Sequence, residues 1–222
     1  MPHYMAELVL TDRPVLLVGG GRVAERKLSG LLTCDAQVFV LSPQLTPAIE
    51  LLAQQQKIHY IQTEFKVEML THHPAYLLVF AATNQKHLNQ YIARECAKLG
   101  LLCNSADEPD VSGFLVPATI RQGPVTVGIG TEGQSPALSR LLKEQIEVSL
   151  SPGWGALARL FGAMRNTVKE QIGAVENRQD FWRQTALAAA RENRPEKPDN
   201  QAWFDQRLQE ARSAADPDQK RP

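Results

Sequence analysis

The chain has 222 residues, 43% hydrophobic and 22% charged, a composition that excludes a wholly disordered chain or a collagen-like fibre and allows one large domain or a medium domain with an appendage. Its 24 Lys and Arg balance 24 Asp and Glu, so it lacks the basic excess of a protein held to nucleic acid mainly through phosphates; local basic pockets stay open to it. The three cysteines, Cys34, Cys96 and Cys103, lack C-x-x-C spacing and read as reduced thiols. The first residues carry Glu7 and Asp12 rather than a basic leader, and no run approaches the ~20 apolar residues of a membrane span. The expected location is the cytoplasm, with neither membrane nor nucleic acid as partner.

In chain order, Val15 to Val18 form a short apolar run that ends at Gly19-Gly20-Gly21, and Val23, Ala24, Leu28, Leu31 and Leu32 follow at helical spacing. That reads as strand, glycine turn, helix. A second strand over 38–41 stops at Ser42-Pro43 and completes a βαβ unit. The alternation continues with a helix over 47–55, strands over 58–61 and 77–82, a helix over 87–99 and a strand over 101–103. It predicts an α/β fold, a Rossmann-like parallel sheet with helices on both faces. After Asp107-Glu108-Pro109-Asp110 the pattern changes: 114–116 and 125–129 read as two strands separated by the turn Arg121-Gln122-Gly123-Pro124. Ser135-Pro136 supplies an N-cap and a first-turn proline for a helix with Leu138, Leu141, Leu142 and Ile146 on one face. Ser151-Pro152 repeats that start signal; helices are expected over 152–172 and 178–191, and a docking helix around Trp203, Phe204 and Leu208. The expected division is a Rossmann-like domain over 1–110, a linking strand and helix segment over 111–150, a small helical C-terminal domain over 151–215 and a disordered tail over 216–222.

Gly19, Gly21 and Ala24 give G-x-G-x-x-A, the small-residue spacing that permits a tight turn, close approach of a pyrophosphate and close packing of helix on strand. Free N–H groups at that helix start would hold the phosphates. After a strand and before a helix the triplet points to a dinucleotide; alone, three glycines make a plain flexible turn. The acid expected about 20 positions on, which would bond an adenosine ribose, is missing, because the second strand ends at Leu41-Ser42-Pro43-Gln44. Ser42 or Gln44 offers a neutral contact and Arg22 tolerates a 2′-phosphate, so spacing leaves NAD and NADP both open. At a later strand end, Thr83 or Asn84 either touches cofactor or caps the next helix. The five histidines, His3, His59, His72, His73 and His87, show no metal-ligand helical spacing, and no resident metal site is assigned; His72-His73 reads as loop.

Four ordered blocks, VLLVGGGRVAERK, LLVFAATN, CNSADEPDVSGFLVPATI and GTEGQSPALSRLLKEQIE, resemble the precorrin-2 dehydrogenase and sirohydrochlorin ferrochelatase family. Its members make sirohaem as single proteins or as the N-terminal module of sirohaem synthase, and the likeness extends more loosely to about residue 190. The resemblance implies NAD binding by the Rossmann-like part, with Gly19, Gly21, Arg22, Val23, Ser42, Pro43, Gln44, Thr83 and Asn104 at the cofactor. It also implies a homodimer formed through the middle segment and a helical part that helps enclose a tetrapyrrole. The implied reaction oxidises precorrin-2 to sirohydrochlorin with NAD as hydride acceptor, and bifunctional members then insert ferrous iron, a substrate rather than a resident metal. The family's key acid falls on Asp107; a carboxylate there would accept or relay the proton released with the hydride, or those of the pyrrole nitrogens as iron enters. By residue type alone, Asp107 is one acid in a solvated turn beside Glu108 and Asp110.

The tetrapyrrole is poly-anionic, and one of its carboxylates about 4 Å from Asp107 would cost about 4 kcal/mol at an effective dielectric of about 20, so cations must offset the repulsion. Arg121, Arg140 and Lys143 are candidates, the last two spaced to share a helix face; the alternative is a solvated face or dimer salt bridges. Thr131 and Ser135 fall in a family loop near the tetrapyrrole cleft, Thr131 standing where some members have Ser. With no methyltransferase domain of the fused synthase in the sequence, uroporphyrinogen methylation is expected from another protein. Two other classes compete: a non-catalytic dinucleotide-sensing module, which needs the glycine loop but not Asp107, and a chelatase that has lost the dehydrogenase step.

Overall fold

A computed structural model of the protein describes residues 2–71, 74–106 and 108–215. Asp107, the His72-His73 pair and the 216–222 tail therefore lie outside the described residues. The chain forms two compact units, Met1–Val116 with Glu132–Gln134, and Pro117–Thr131 with Ser135–Pro222.

The first unit holds β1 (Pro14–Val18), β2 (Gln37–Leu41), β3 (His59–Ile61), β4 (Leu78–Ala81) and β5 (Leu102–Ser105), all parallel, in the order β3-β2-β1-β4-β5. Helices α1 (Arg22–Leu32) and α2 (Pro47–Gln54) cover one face, packing Ala24, Leu28, Leu31 and Ile49 onto Val15, Leu17, Val38, Val40, Leu78 and Phe80. On the other face α3 (Lys86–Lys98) packs Ile92, Ala93 and Cys96 onto Leu16, Val18, Val79, Ala81 and Cys103. A strand covered on both sides has no polar face to keep, so its sequence is a continuous apolar run, and each buried Val or Leu contributes roughly 1.5–3 kcal/mol. Val18 stands beside Leu41 and Ala81, and Ala81 beside Ser105, so four strands end in one row. The strand order reverses between β1 and β4, which opens a crevice at those carboxyl ends. All three cysteines are free thiols. A hydrogen bond between the Cys96 and Cys103 thiols inside the α3 face pushes the pKa of Cys96 up and draws that of Cys103 down.

The second unit begins with an antiparallel hairpin, β6 (Ala118–Gln122) and β7 (Val125–Ile129), closed by the two-residue loop Gly123-Pro124 with Gly123 at φ +59. Helices α4 (Pro136–Ser149), α5 (Gly153–Ala163), α6 (Arg165–Gln171), α7 (Val175–Arg191) and α8 (Asn200–Ala215) follow. Ser135 caps α4 by accepting from the Leu138 N–H at 3.2 Å, with Pro136 at the first position. The helical core is aromatic: Phe161, Phe181, Trp182 and Phe204 meet with ring centroids 5.5–5.7 Å apart. Buried Arg194 pairs with Asp199 at 2.7 Å and stacks on Trp203. Among the described residues, no helix is long and apolar enough to cross a membrane.

Two expectations need correction. The segment 114–116 is not a strand; the hairpin partner of β7 is Ala118–Gln122, after Pro117. Its apolar residues serve the first unit instead, Phe114 setting its ring edge-on to Phe80 at 5.3 Å while the Gly113 N–H donates to the Cys103 carbonyl at 2.7 Å. The single helix expected over 152–172 is broken at Met164 into α5 and α6. Residues up to Val116 group with the sheet, and the hairpin and α4 share a unit with the later helices.

Candidate functional site

The glycine loop leaves β1 at the row of strand ends, and its glycines have different reasons to be there. Gly19 has φ +123, and a Cβ there would collide with the Ala82 carbonyl; a Cβ at Gly20 would collide with that of Gln44. Those two lie where the protein packs against itself. Around Gly21 a Cβ would meet nothing within 4 Å, so the loop is open to its surroundings there. Gly21 is also the N-cap of α1 and brings no side chain to the first-turn N–H groups. Unsatisfied donors with the positive end of the helix dipole and open space above them fit a pyrophosphate. Arg22 is exposed at the first position of α1, and Val23 is half-buried against the core.

At the end of β2, Ser42 is buried and donates its hydroxyl to the Gln44 carbonyl at 2.7 Å, while Pro43 and Gln44 are exposed. The Thr46 N–H donates to the Gly20 carbonyl at 2.9 Å, fastening the start of α2 to the glycine loop. Sequence reading missed one residue here: Glu25, in the first turn of α1, accepts from the Thr46 hydroxyl at 2.9 Å. The available signal was an acid one turn past the loop and the Thr46-Pro47 helix start, but the contact joins residues on two different helices.

Past β4, the Thr83 N–H and hydroxyl donate to Asn89 Oδ1 at 3.0 and 2.7 Å, and Asn89 Nδ2 returns a bond to the Thr83 carbonyl at 3.0 Å. The N-cap of α3 is Gln85, so neither Thr83 nor Asn84 caps it; Thr83 holds the turn before it, against Gly19. Asn104 is buried in β5, one row in from the strand ends, accepting from Lys27 Nζ at 2.9 Å and donating to the Phe114 carbonyl at 3.0 Å. Burial, helped by Arg26, lowers the Lys27 pKa. Ser112 accepts from the Ser105 N–H at 3.0 Å and donates to the Glu108 carbonyl at 2.9 Å. The Glu108 carboxylate pairs with Lys86 and accepts from Gln90 at 3.2 Å; Lys86 above all holds its pKa below the ordinary value. The chain is thus clasped on both sides of position 107.

The remaining candidates belong to the second unit. Arg121 is exposed on β6, Arg140 is exposed on α4 and Lys143 is half-buried there. The Thr131 hydroxyl accepts from the Ser135 N–H at 3.1 Å and lies 3.1 Å from Ser139 Oγ, so with the Ser135 cap these hydroxyls build the start of α4. The structure therefore gathers Gly19, Gly21, Arg22, Ser42, Gln44 and Thr83 at one end of the sheet and sets Asn104 just beneath. Among the described residues, no group of three or more His, Cys, Asp or Glu would hold a metal ion.

A family model described as "Putative NAD(P)-binding" matches residues 7–118, and one described as "Sirohaem synthase dimerisation region" matches residues 153–208. The chain belongs to the family of the sirohaem synthase N-terminal module. It is 36% identical over 176 residues to "Siroheme synthase 1" of Serratia proteamaculans, covering 79% of this chain and 36% of that protein. To "Siroheme synthase 1" of Aeromonas salmonicida it is 38% identical over 173 residues, covering 78% of this chain and 36% of the relative. The chain thus spans about a third of the length of the curated relatives it matches. Among solved structures, "SirC, precorrin-2 dehydrogenase" superposes with a TM-score of 0.76 at 21% identity, over 94% of this chain and 100% of that one, which shows a shared fold. Within this sirohaem synthase family, the matched dimerisation region begins beyond the 111–150 segment to which the resemblance assigned that role.

Proposed function

We propose that this member of the sirohaem synthase family oxidises precorrin-2 to sirohydrochlorin with NAD as hydride acceptor, as a homodimer in the cytoplasm. The observation that carries the reading is the glycine loop, whose first two glycines pack against protein while Gly21 faces open space at the start of α1. When bound there, the dinucleotide supplies the hydride acceptor. The N–H groups of Gly21, Arg22 and Val23 would hold its pyrophosphate, with Ser42, Pro43 and Gln44 toward the adenosine, and Thr83 and Asn104 toward the nicotinamide.

Loss of two hydrogens as hydride and proton needs a base, and Asp107 is assigned that role, between clasps at Ser105 and Glu108. In the second unit, Arg121, Arg140 and Lys143 would bind the substrate's carboxylates, with Thr131 and Ser135 presenting the loop before α4. Insertion of ferrous iron, entering as substrate, is assigned to the same acid as a second step, on the strength of the sequence blocks alone. The homodimer reading draws on the dimerisation region at 153–208 and on α4, which exposes Leu138, Leu141, Ile146 and Val148.

Anaerobic incubation with precorrin-2 and NAD, followed by ferrous or cobaltous ion, tests both steps. NADH formation is expected first and a metallated tetrapyrrole spectrum second. Absence of NADH formation in a protein that still binds sirohydrochlorin would leave the chelatase reading, and absence of tetrapyrrole binding would leave a dinucleotide sensor.

A further inference from the structure

In this fold the adenosine ribose rests at the end of the second strand, where an acid bonds the 2′-hydroxyl and discriminates against a 2′-phosphate. Here β2 runs out at Leu41-Ser42-Pro43-Gln44 and carries no such acid. The structure brings one in from another element. Glu25, one turn into α1 with its N–H bonded to the Gly21 carbonyl at 3.0 Å, accepts from the hydroxyl of Thr46 at 2.9 Å. Thr46 is the N-cap of α2, and its own N–H is bonded to the Gly20 carbonyl at 2.9 Å. Gly20 in turn lies against Gln44 and Ser42. Thr46 therefore ties the carboxylate of Glu25 to the glycine loop, and Gly20 sets that loop against the end of β2.

A helix start next to the end of β2 is where an added phosphate would gain most from a helix dipole. That place is already taken by negative charge: Glu25 at the cap, and Glu50 in the first turn of α2. Arg22, the cation that would favour a 2′-phosphate, lies three residues before Glu25 on the same helix, close enough for the acid to offset it.

We infer that Glu25 makes the site select NAD over NADP, its carboxylate standing in for the acid missing from β2 and repelling a 2′-phosphate. The inference rests on the dinucleotide reading of the loop and goes further by naming the residue that chooses between the two nucleotides.

Titration of the purified full chain with NADH and with NADPH, followed by nucleotide fluorescence without tetrapyrrole, tests it. The unaltered chain should bind NADH about 100-fold more tightly than NADPH. Glu25→Gln keeps an acceptor for Thr46 and removes the charge, and should narrow that ratio about tenfold; Glu25→Arg should narrow it further. Equal binding of both nucleotides by the unaltered chain, or an unchanged ratio in both variants, overturns the selectivity assigned to Glu25. Binding of neither nucleotide removes the dinucleotide site itself and the selectivity with it, a result plainly different from equal binding.

Discussion

Strand β1 of the first unit is closed on both faces, with Val15, Leu16 and Leu17 at 0% exposure, whereas helix α4 of the second leaves Leu141 at 50% and Val148 at 91%. A sheet sandwiched between helices completes its burial inside its own chain, so the loops at its carboxyl edge are free to be shaped around a ligand. The hairpin and α4 bury little of their own, chiefly Ile120 and Ser139, and the remaining apolar surface asks for a second surface to cover it. The contrast separates a unit that buries the apolar faces of its strands within itself from a hairpin and helix that leave apolar side chains exposed.

The largest expected effect is at the ligand end of that contrast. Gly21→Asp sets a carboxylate at the helix start with no steric obstacle, and should weaken NADH binding more than about 100-fold while the melting temperature holds. Gly19→Ala should do the reverse, destabilising the unit by about 2–4 kcal/mol through collision with the Ala82 carbonyl and its positive φ, as read by denaturant unfolding. If both variants merely lost nucleotide, the distinction between packing glycine and ligand-facing glycine would fail. Asp107→Ala should lower the oxidation rate about 100-fold or more with NADH affinity retained, measured by NADH production beside nucleotide titration. At the other end, Leu141→Glu together with Val148→Glu should shift the protein from dimer to monomer at micromolar concentration in sedimentation, at a folding cost of about 0.5 kcal/mol or less. An unchanged mass would mean that α4 is not the covered surface.

The smallest effect is pH-dependent. Glu108 has its pKa lowered by Lys86, so its contribution is present above the ordinary carboxylate pKa and is lost as pH falls through the depressed folded value. Glu108→Gln should therefore lower the melting temperature slightly at neutral pH and not at all in strong acid. A deficit that persisted in acid would locate the effect in packing instead of charge.

The sheet was legible in the sequence because parallel strands buried on both faces read as unbroken apolar runs, and the glycine loop because strand, small residues and helix follow one another directly. The stretch 114–116 was misread since an apolar triplet looks the same whether it pairs in a ladder or, like Phe114, packs a ring on Phe80. The break at Met164 was hidden because no proline marks it. Glu25 was invisible as a site residue for a different reason: spacing rules follow one element at a time, and its bond to Thr46 crosses from α1 to the cap of α2. Ser42, by contrast, sat where the pattern put it, yet its hydroxyl is spent on the turn at Gln44.

All three tryptophans, Trp154, Trp182 and Trp203, belong to the second unit, Trp182 among phenylalanine rings and Trp203 beneath the guanidinium groups of Arg194 and Arg207. Indole emission is consequently a label-free optical gauge of that unit, with no indole in the sheet to contaminate the signal. Excited separately, a reduced nicotinamide would report occupancy of the other unit, so one cuvette can yield two melting curves.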